Sequence, residues 1–82
     1  MMTYEQLRGI LTEPWQQRII DEFEEVEDRL ALLVSFLHDK TKIENLSDDE
    51  IEMLWIQKDA MYNYHQALYD RIDFYVKRNL KA

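Results

Sequence analysis

Cysteine is missing from this 82-residue sequence, and glycine and proline occur once each. Without cysteine there is no disulfide framework, no thiolate metal site and no thiol nucleophile. A lone Gly9 leaves no glycine-rich loop in which backbone could cradle a phosphate. So little turn punctuation, with few clusters of β-branched residues, excludes a sheet protein and points to an all-helical chain. No stretch approaches about 18 uncharged apolar residues, and the N-terminus lacks the apolar core of a signal peptide. The expectation is a cytoplasmic protein that does not enter a membrane. Positive charge is also scarce. Ten Lys+Arg against seventeen Asp+Glu give a net charge of -7, which argues against duplex nucleic acid as a partner. A small phosphate ligand needs only a few local cations and remains open.

What the chain does have is helical periodicity. From Ser47 to Val76 three registers hold a seven-residue period: Ile51, Lys58, His65, Ile72; Leu54, Met61, Leu68, Tyr75; and Trp55, Tyr62, Tyr69, Val76. Side by side on a helix they form one face broader than a two-register coiled-coil seam, so this helix packs against more than one partner. Ser47 followed by Asp48, Asp49 and Glu50 makes a capping box with acids at the positive helix end. The spacing predicts a helix over 47–79, roughly 50 Å long at 1.5 Å per residue. Upstream, Thr12-Glu13-Pro14 is a start signal, and Trp15, Ile19, Phe23, Val26, Leu30, Leu33 and Leu37 follow at spacings of four and three. That predicts a helix over 14–38. A short helix over 4–8 begins at Thr3 with Gln6 three residues on, and Gly9 is its expected C-terminal stop. Asp39 to Leu46 reads as a polar loop. The expected fold is therefore all-α: a short N-terminal helix, then a long antiparallel helical hairpin, as a single domain over 1–82.

The backs of both helices carry apolar residues too. Met53, Ile56, Ala60, Ala67 and Phe74 lie opposite the main face of the last helix, and Ile20 and Leu32 lie away from the stripe of the first long one. A monomeric hairpin cannot bury both sides, and a domain this small gains from association, so a homo-oligomer is expected. Lys58 and His65 break one apolar register at consecutive heptads. They read either as seam residues that fix register or as a cation and an imidazole facing a cavity. At the edge of the same face, Gln57, Tyr64, Arg71 and Arg78 form a stripe. It suits a ligand with bases to stack and phosphates to neutralise, and equally the polar rim of an interface.

Catalytic chemistry finds little footing. Six carboxylates lie between Asp21 and Asp28, with Arg29 four residues after Glu25. This run reads as a solvated acidic face, since the two histidines, His38 and His65, are far apart and the Glu-x-x-His pairs of a di-iron bundle are missing. Ser35 and Ser47 are the two serines, and Ser47 is already accounted for as a cap. No enzyme activity, metal or cofactor is expected.

One ordered set of residues resembles a known family. Gln16-Gln17-Arg18-Ile19-Ile20-Asp21-Glu22 opens the first long helix and Leu30, Leu33 and Phe36 follow; Glu44-Asn45-Leu46-Ser47-Asp48-Asp49-Glu50 makes the connection. Leu54, Gln57, Met61, Tyr64, Leu68, Arg71 and Ile72 continue on the last helix. Over about Trp15 to Phe74 this order is similar to the hairpin domain of phage anti-CBASS and anti-Thoeris sponge proteins. The resemblance implies a small helical hexamer that sequesters cyclic nucleotide immune signals without degrading them, in the cytoplasm of an infected bacterium. It implies Arg71 as a phosphate contact, matches Arg18 to the arginine of the opening motif and sets Tyr4 in place of a tyrosine of the family's N-terminal segment. Taken with the stripe and the broken register, the candidate ligand set is Arg71 and Tyr64 first, with Arg18, Lys58, Gln57 and His65 behind them. The first long helix has no lysine at its middle, where the anti-CBASS branch uses one, and the chain lacks the extra small domain of the anti-Thoeris branch. The other reading is a structural module, a helical-hairpin oligomer that binds a protein partner through its second apolar face.

Overall fold

A computed structural model describes residues 2–81; Met1 and Ala82, the ends of the expected domain, lie outside the described residues. Four helices follow in order: α1 (Tyr4–Ile10), α2 (Pro14–Leu37), the single turn α3 (Lys40–Ile43) and α4 (Asp48–Lys81). Local side chains set each start. Thr3 Oγ1 accepts from the Gln6 N–H at 3.1 Å, and Gln6 Oε1 accepts from the Thr3 N–H at 2.9 Å. Pro14 occupies the first turn of α2, and the Glu13 N–H donates to Gln16 Oε1 at 3.2 Å. Ser47 Oγ accepts from the Glu50 N–H at 3.2 Å at the head of α4.

The first long helix ends at Leu37 and the last begins at Asp48, each one residue from expectation, and three features differ by more. Gly9 does not stop α1, which continues to Ile10 with no left-handed residue and is capped at Leu11. The two extra residues bring Leu11 onto the same buried side as Leu7, and that burial outweighs the weak helix propensity of glycine. The connection between the long helices is not all loop: Asp39 Oδ1 accepts from Thr41 N–H at 3.1 Å and Thr41 Oγ1–H at 2.6 Å, nucleating α3. And α4 runs to Lys81, past the expected end at 79.

α2 and α4 pack antiparallel. Trp15 meets Tyr75, Phe23 meets His65, and His38 meets Trp55, with ring centroids 4.8, 4.5 and 6.1 Å apart. α1 then folds back over one side of the hairpin's base. A helix of seven residues is marginal alone, so tertiary contacts hold it. Leu7 and Leu11 join Ile19, Ile20, Phe23, Leu68, Ile72 and Val76 in the core. Gln17 Nε2 donates to the carbonyls of Arg8 (3.0 Å) and Leu11 (2.5 Å), and Asn79 Nδ2 to that of Ile10 (3.2 Å). These bonds satisfy carbonyls that the end of a helix leaves unpaired. They also explain a correction. Ile20, set outside the apolar stripe by its spacing, is fully buried, because α1 covers its side of α2. Leu32, grouped with it, stays 72 % exposed.

Burial is concentrated at this base and thins toward the tip, where Leu37 is buried but Trp55 and Tyr62 are exposed. Met53, Ile56 and Phe74 on the back of α4 are exposed, as are Ala60 and Ala67. The described chain measures 53 × 20 × 18 Å, close to the length of α4 alone. Among the described residues no helix is long and apolar enough to cross a membrane.

The base core makes a direct prediction. Ile20→Ala removes a side chain packed by three helices and should cost about 2–5 kcal/mol of stability. Arg18→Ala, at an exposed position, should stay within about 0.5 kcal/mol. Urea unfolding followed by circular dichroism reads both.

Candidate functional site

Two grooves flank the α2–α4 seam, each lined by both helices. The first, of 510 Å³, is lined by Val26, Arg29, Leu32, Leu33, Gln57, Met61 and Tyr64. The second, of 450 Å³, is lined by residues that include Glu27, Val34, Ser35, Tyr62 and His65. At the same level of the hairpin they take neighbouring residues that point about 100° apart on each helix, 26, 29 and 33 against 27, 30 and 34 on α2 and 61 and 64 against 62 and 65 on α4, so they lie on opposite sides of the seam. Tyr4 reaches Glu27, which puts α1 on the second side and leaves the first uncovered.

On the uncovered side the Tyr64 hydroxyl donates to Glu22 Oε1 across the seam. That hydrogen bond pushes the Tyr64 phenol above its ordinary value, burial and the Glu22 charge add to the rise, and the charge of Arg71 opposes it. A phenol so placed stays protonated at neutral pH and can donate. Arg71 and Arg18 are both exposed. Helical spacing sets Arg18, Glu22, Val26 and Arg29 on one stripe of α2, facing Gln57, Met61, Tyr64 and Arg71 on α4. Gln57 Nε2 lies 3.8 Å from Met61 Sδ, and Arg29 is held by Glu25 at 2.6 Å. The arrangement is an apolar floor of Val26, Leu33 and Met61 rimmed by guanidinium, amide and phenol. Such a surface can hold a flat, partly apolar anion.

On the α1 side the chemistry is different. Tyr4 donates its hydroxyl to Glu27 Oε2 and sets its ring edge-on to Phe23 at 6.1 Å. His65 stacks on the other part of Phe23, at 4.5 Å and 24°. Glu27 Oε1 lies 3.4 Å from His65 Nε2, but that buried nitrogen has no hydrogen-bond partner in the geometry present. Burial first, then the bond to Glu27, then the charges of Glu27, Glu24 and Asp28 push the Tyr4 phenol up. Lys58, one heptad before His65, lays its ammonium 4.9 Å over the Trp55 ring and pairs with Asp59 at 3.0 Å.

The seven residues singled out from the sequence therefore divide. Arg18, Gln57, Tyr64 and Arg71 share the uncovered side. Tyr4 and His65 belong to the α1 side, tied together through Glu27 and Phe23, and Lys58 is occupied by Trp55 and Asp59. Two further residues of the uncovered side, Glu22 and Arg29, were read as parts of a solvated acidic face. Several of those acids instead have partners on other helices: Asp21 and Glu24 take Arg8 at 2.5 and 3.4 Å, Glu22 takes Tyr64, and Glu27 takes Tyr4. The spacing 18, 22, 26, 29, 33 was a signal for this stripe, but it reads as a face only once a partner helix is known. Among the described residues no three His, Asp or Glu side chains come together to hold a metal ion.

Residues 13–74 match the model of the Sequestin family, and the chain belongs to that family. The match covers α2, α3 and α4 as far as Phe74, but not α1. The family's name agrees with the sponge-type resemblance carried by the same residues. No match was found among curated proteins or among solved structures.

The half-buried Tyr4 phenol makes a pH prediction. Its folded value lies above the ordinary 10, so its contribution is intact below about pH 10 and is lost as pH rises through the folded value. Tyr4→Phe should lower stability at neutral pH by about 1 kcal/mol, the worth of one hydrogen bond. It should also make the alkaline fall in stability shallower than in the parent chain. Denaturant midpoints between pH 7 and 11 test both statements.

Proposed function

We propose that this member of the Sequestin family binds a cyclic nucleotide signal on the uncovered side of its hairpin and sequesters it without cleaving it. In this reading it is a phage anti-defence sponge, acting in the cytoplasm of the infected host and keeping the signal from the effectors it would switch on. The observation that carries the reading is a groove with Arg29, Gln57 and Tyr64 over an apolar floor, continued along the same helical stripes by Arg18 and Arg71, in a chain whose net charge is -7. Cations that are scarce overall are grouped where a phosphate could use them. Arg71 and Arg18 neutralise phosphate, Tyr64 donates or stacks, and Met61 and Val26 take the apolar faces of bases.

Sequestration rather than hydrolysis is favoured by the chemistry of the groove. The Tyr64 phenol is pushed up, which makes it a poor nucleophile at neutral pH. His65, the nearest imidazole in sequence, lies in the other groove. One hairpin offers an open wall, so the binding unit is a homo-oligomer, as in the hexamers of the resembled sponges, with copies closing over the ligand. The exposed Met53, Ile56 and Phe74 supply apolar surface for that assembly. The same three residues also suit the competing reading, a module that docks a protein helix on the back of α4.

The test is to mix the purified protein with cyclic di- and trinucleotides and cyclic ADP-ribose isomers, remove it, and heat it. One signal should be depleted and return intact on denaturation. Arg71→Ala should weaken retention by about tenfold or more, the worth of a charge-assisted hydrogen bond, and leave the oligomer unchanged in sedimentation. Depletion of none of these molecules, or loss of assembly with no change in retention, turns the reading toward the helix-binding module.

A further inference from the structure

Packing α2 against α4 leaves the back of α4 bare. Met53, Ile56 and Phe74 are 62, 61 and 60 % exposed there, with Ala60 and Ala67 open between them. At helical spacing Asp49 and Arg78 fall on the same face, one at each end of it. Both are exposed, and neither has an ion-pair partner among the described residues. The helix is oppositely charged at its two ends: Asp48, Asp49 and Glu50 stand in its first turn, Arg78 and Lys81 in its last. Beside Phe74 and Arg78 lies an open hollow of 330 Å³, lined also by Lys77 and Lys81.

We infer that this face pairs with the same face of a second copy, α4 antiparallel to α4, about a two-fold axis that passes between Asn63 and Tyr64. The register comes from the face itself. Residues 49 and 78, 53 and 74, and 60 and 67 are each equally far from that axis, so in an antiparallel pair they stand level across it. Met53 then reaches the hollow beside the second copy's Phe74, and the alanines let the two helices approach closely. Asp49 meets the second copy's Arg78, and the two-fold axis makes each of these contacts twice. Charge fixes the direction. A parallel pair would lay acid on acid at one end and base on base at the other, whereas the antiparallel pair sets each acidic head against a basic tail. A partner of unrelated sequence would not require the face to match itself when reversed. The function proposed above asks only that copies associate; this pairing says which face does so and in what direction, and it requires no ligand. Tyr64 borders the face on its groove side, so the axis gathers both grooves on one side of the pair.

The absence of cysteine makes disulfide trapping on the full chain the test. Asn63→Cys sits beside the axis, where two copies come within disulfide reach, whereas two copies of Met53→Cys lie about 30 Å apart along the helix. After oxidation Asn63→Cys should run as a linked dimer on a denaturing gel and Met53→Cys as a single chain. In sedimentation, Asp49→Lys and Arg78→Glu should each weaken association by roughly tenfold, because each turns two attractive pairs repulsive; combined in one chain they should restore it. All four positions are exposed, so circular dichroism should show the helices intact. A monomeric parent chain, a linked Met53→Cys dimer, or a double swap weaker than either single variant overturns the pairing. So does an assembled chain in which Asn63→Cys stays unlinked, since another face then holds the copies together. Nucleotide retention is read separately, so that last result leaves the sponge reading standing.

Discussion

Phe23 is the contact through which the three main helices are fixed to one another. Its ring is fully buried at the level where α1 ends its cover of the hairpin, with Tyr4 of α1 on its edge and His65 of α4 stacked on its face. An aromatic ring so placed contributes large buried area and a preferred geometry to each neighbour. It also fixes rotation. With Phe23 turned into the seam, Glu27 one turn on faces α1 and Glu22 faces the other way. The two sides of the hairpin acquire different chemistry from that single orientation. One is closed by α1; the other leaves Arg18 and Arg71 without an ion-pair partner among the described residues, beside the Tyr64–Glu22 bond.

Charge distribution follows the same division. A chain of net charge -7 repels an anion at long range, screened beyond about 8 Å at physiological salt. Within that range local pairs decide. Arg8 holds Asp21 and Glu24, Tyr4 caps Glu27, and Arg29 holds Glu25. The acidic centre of α2 is therefore partly spent in binding other parts of the protein. Arg71 and Arg18 are left without such duties on the open side, among the described residues. That allocation makes a phosphate site physically reasonable in an acidic protein.

Much of the backbone was legible from local chemistry. Capping at Thr3 and Ser47, the proline at the head of α2 and the heptad registers of α4 are short-range signals, and the helices begin where those signals stand. What was not legible depended on which surfaces meet. Ile20 falls off the α2 stripe, and its burial requires α1, a helix too short to announce its own docking. The end of α1 was misjudged for the same reason: Gly9 is a stop signal locally, but Leu11 gains more from burial than the chain loses at the glycine. The site divided along this line as well. Gln57, Tyr64 and Arg71 share a heptad register and could be grouped in advance. Tyr4 is joined to them by resemblance and His65 by its break in the apolar register, and separating them needs the position of α1 relative to the seam. Glu22 and Arg29 were hidden in a run of like charges whose members point in different directions.

The thin packing toward the hairpin tip connects stability with binding. Ligand sites usually bury most of their ligand's surface, and a groove of 510 Å³ between two helices, open along its length, supplies only one wall. A protein that retains a signal against competing receptors needs a second wall, and symmetry provides one if copies associate with their grooves facing. The apolar residues left exposed toward the tip and on the back of α4, Leu32, Met53 and Ile56 among them, gain burial from the same association. Domains of this size bury too little surface to be robust alone. In the function proposed, assembly would complete the site and compensate the small core in one step. Ligand binding would then stabilise the assembly, because a molecule held between copies binds the associated state and not the separated chains.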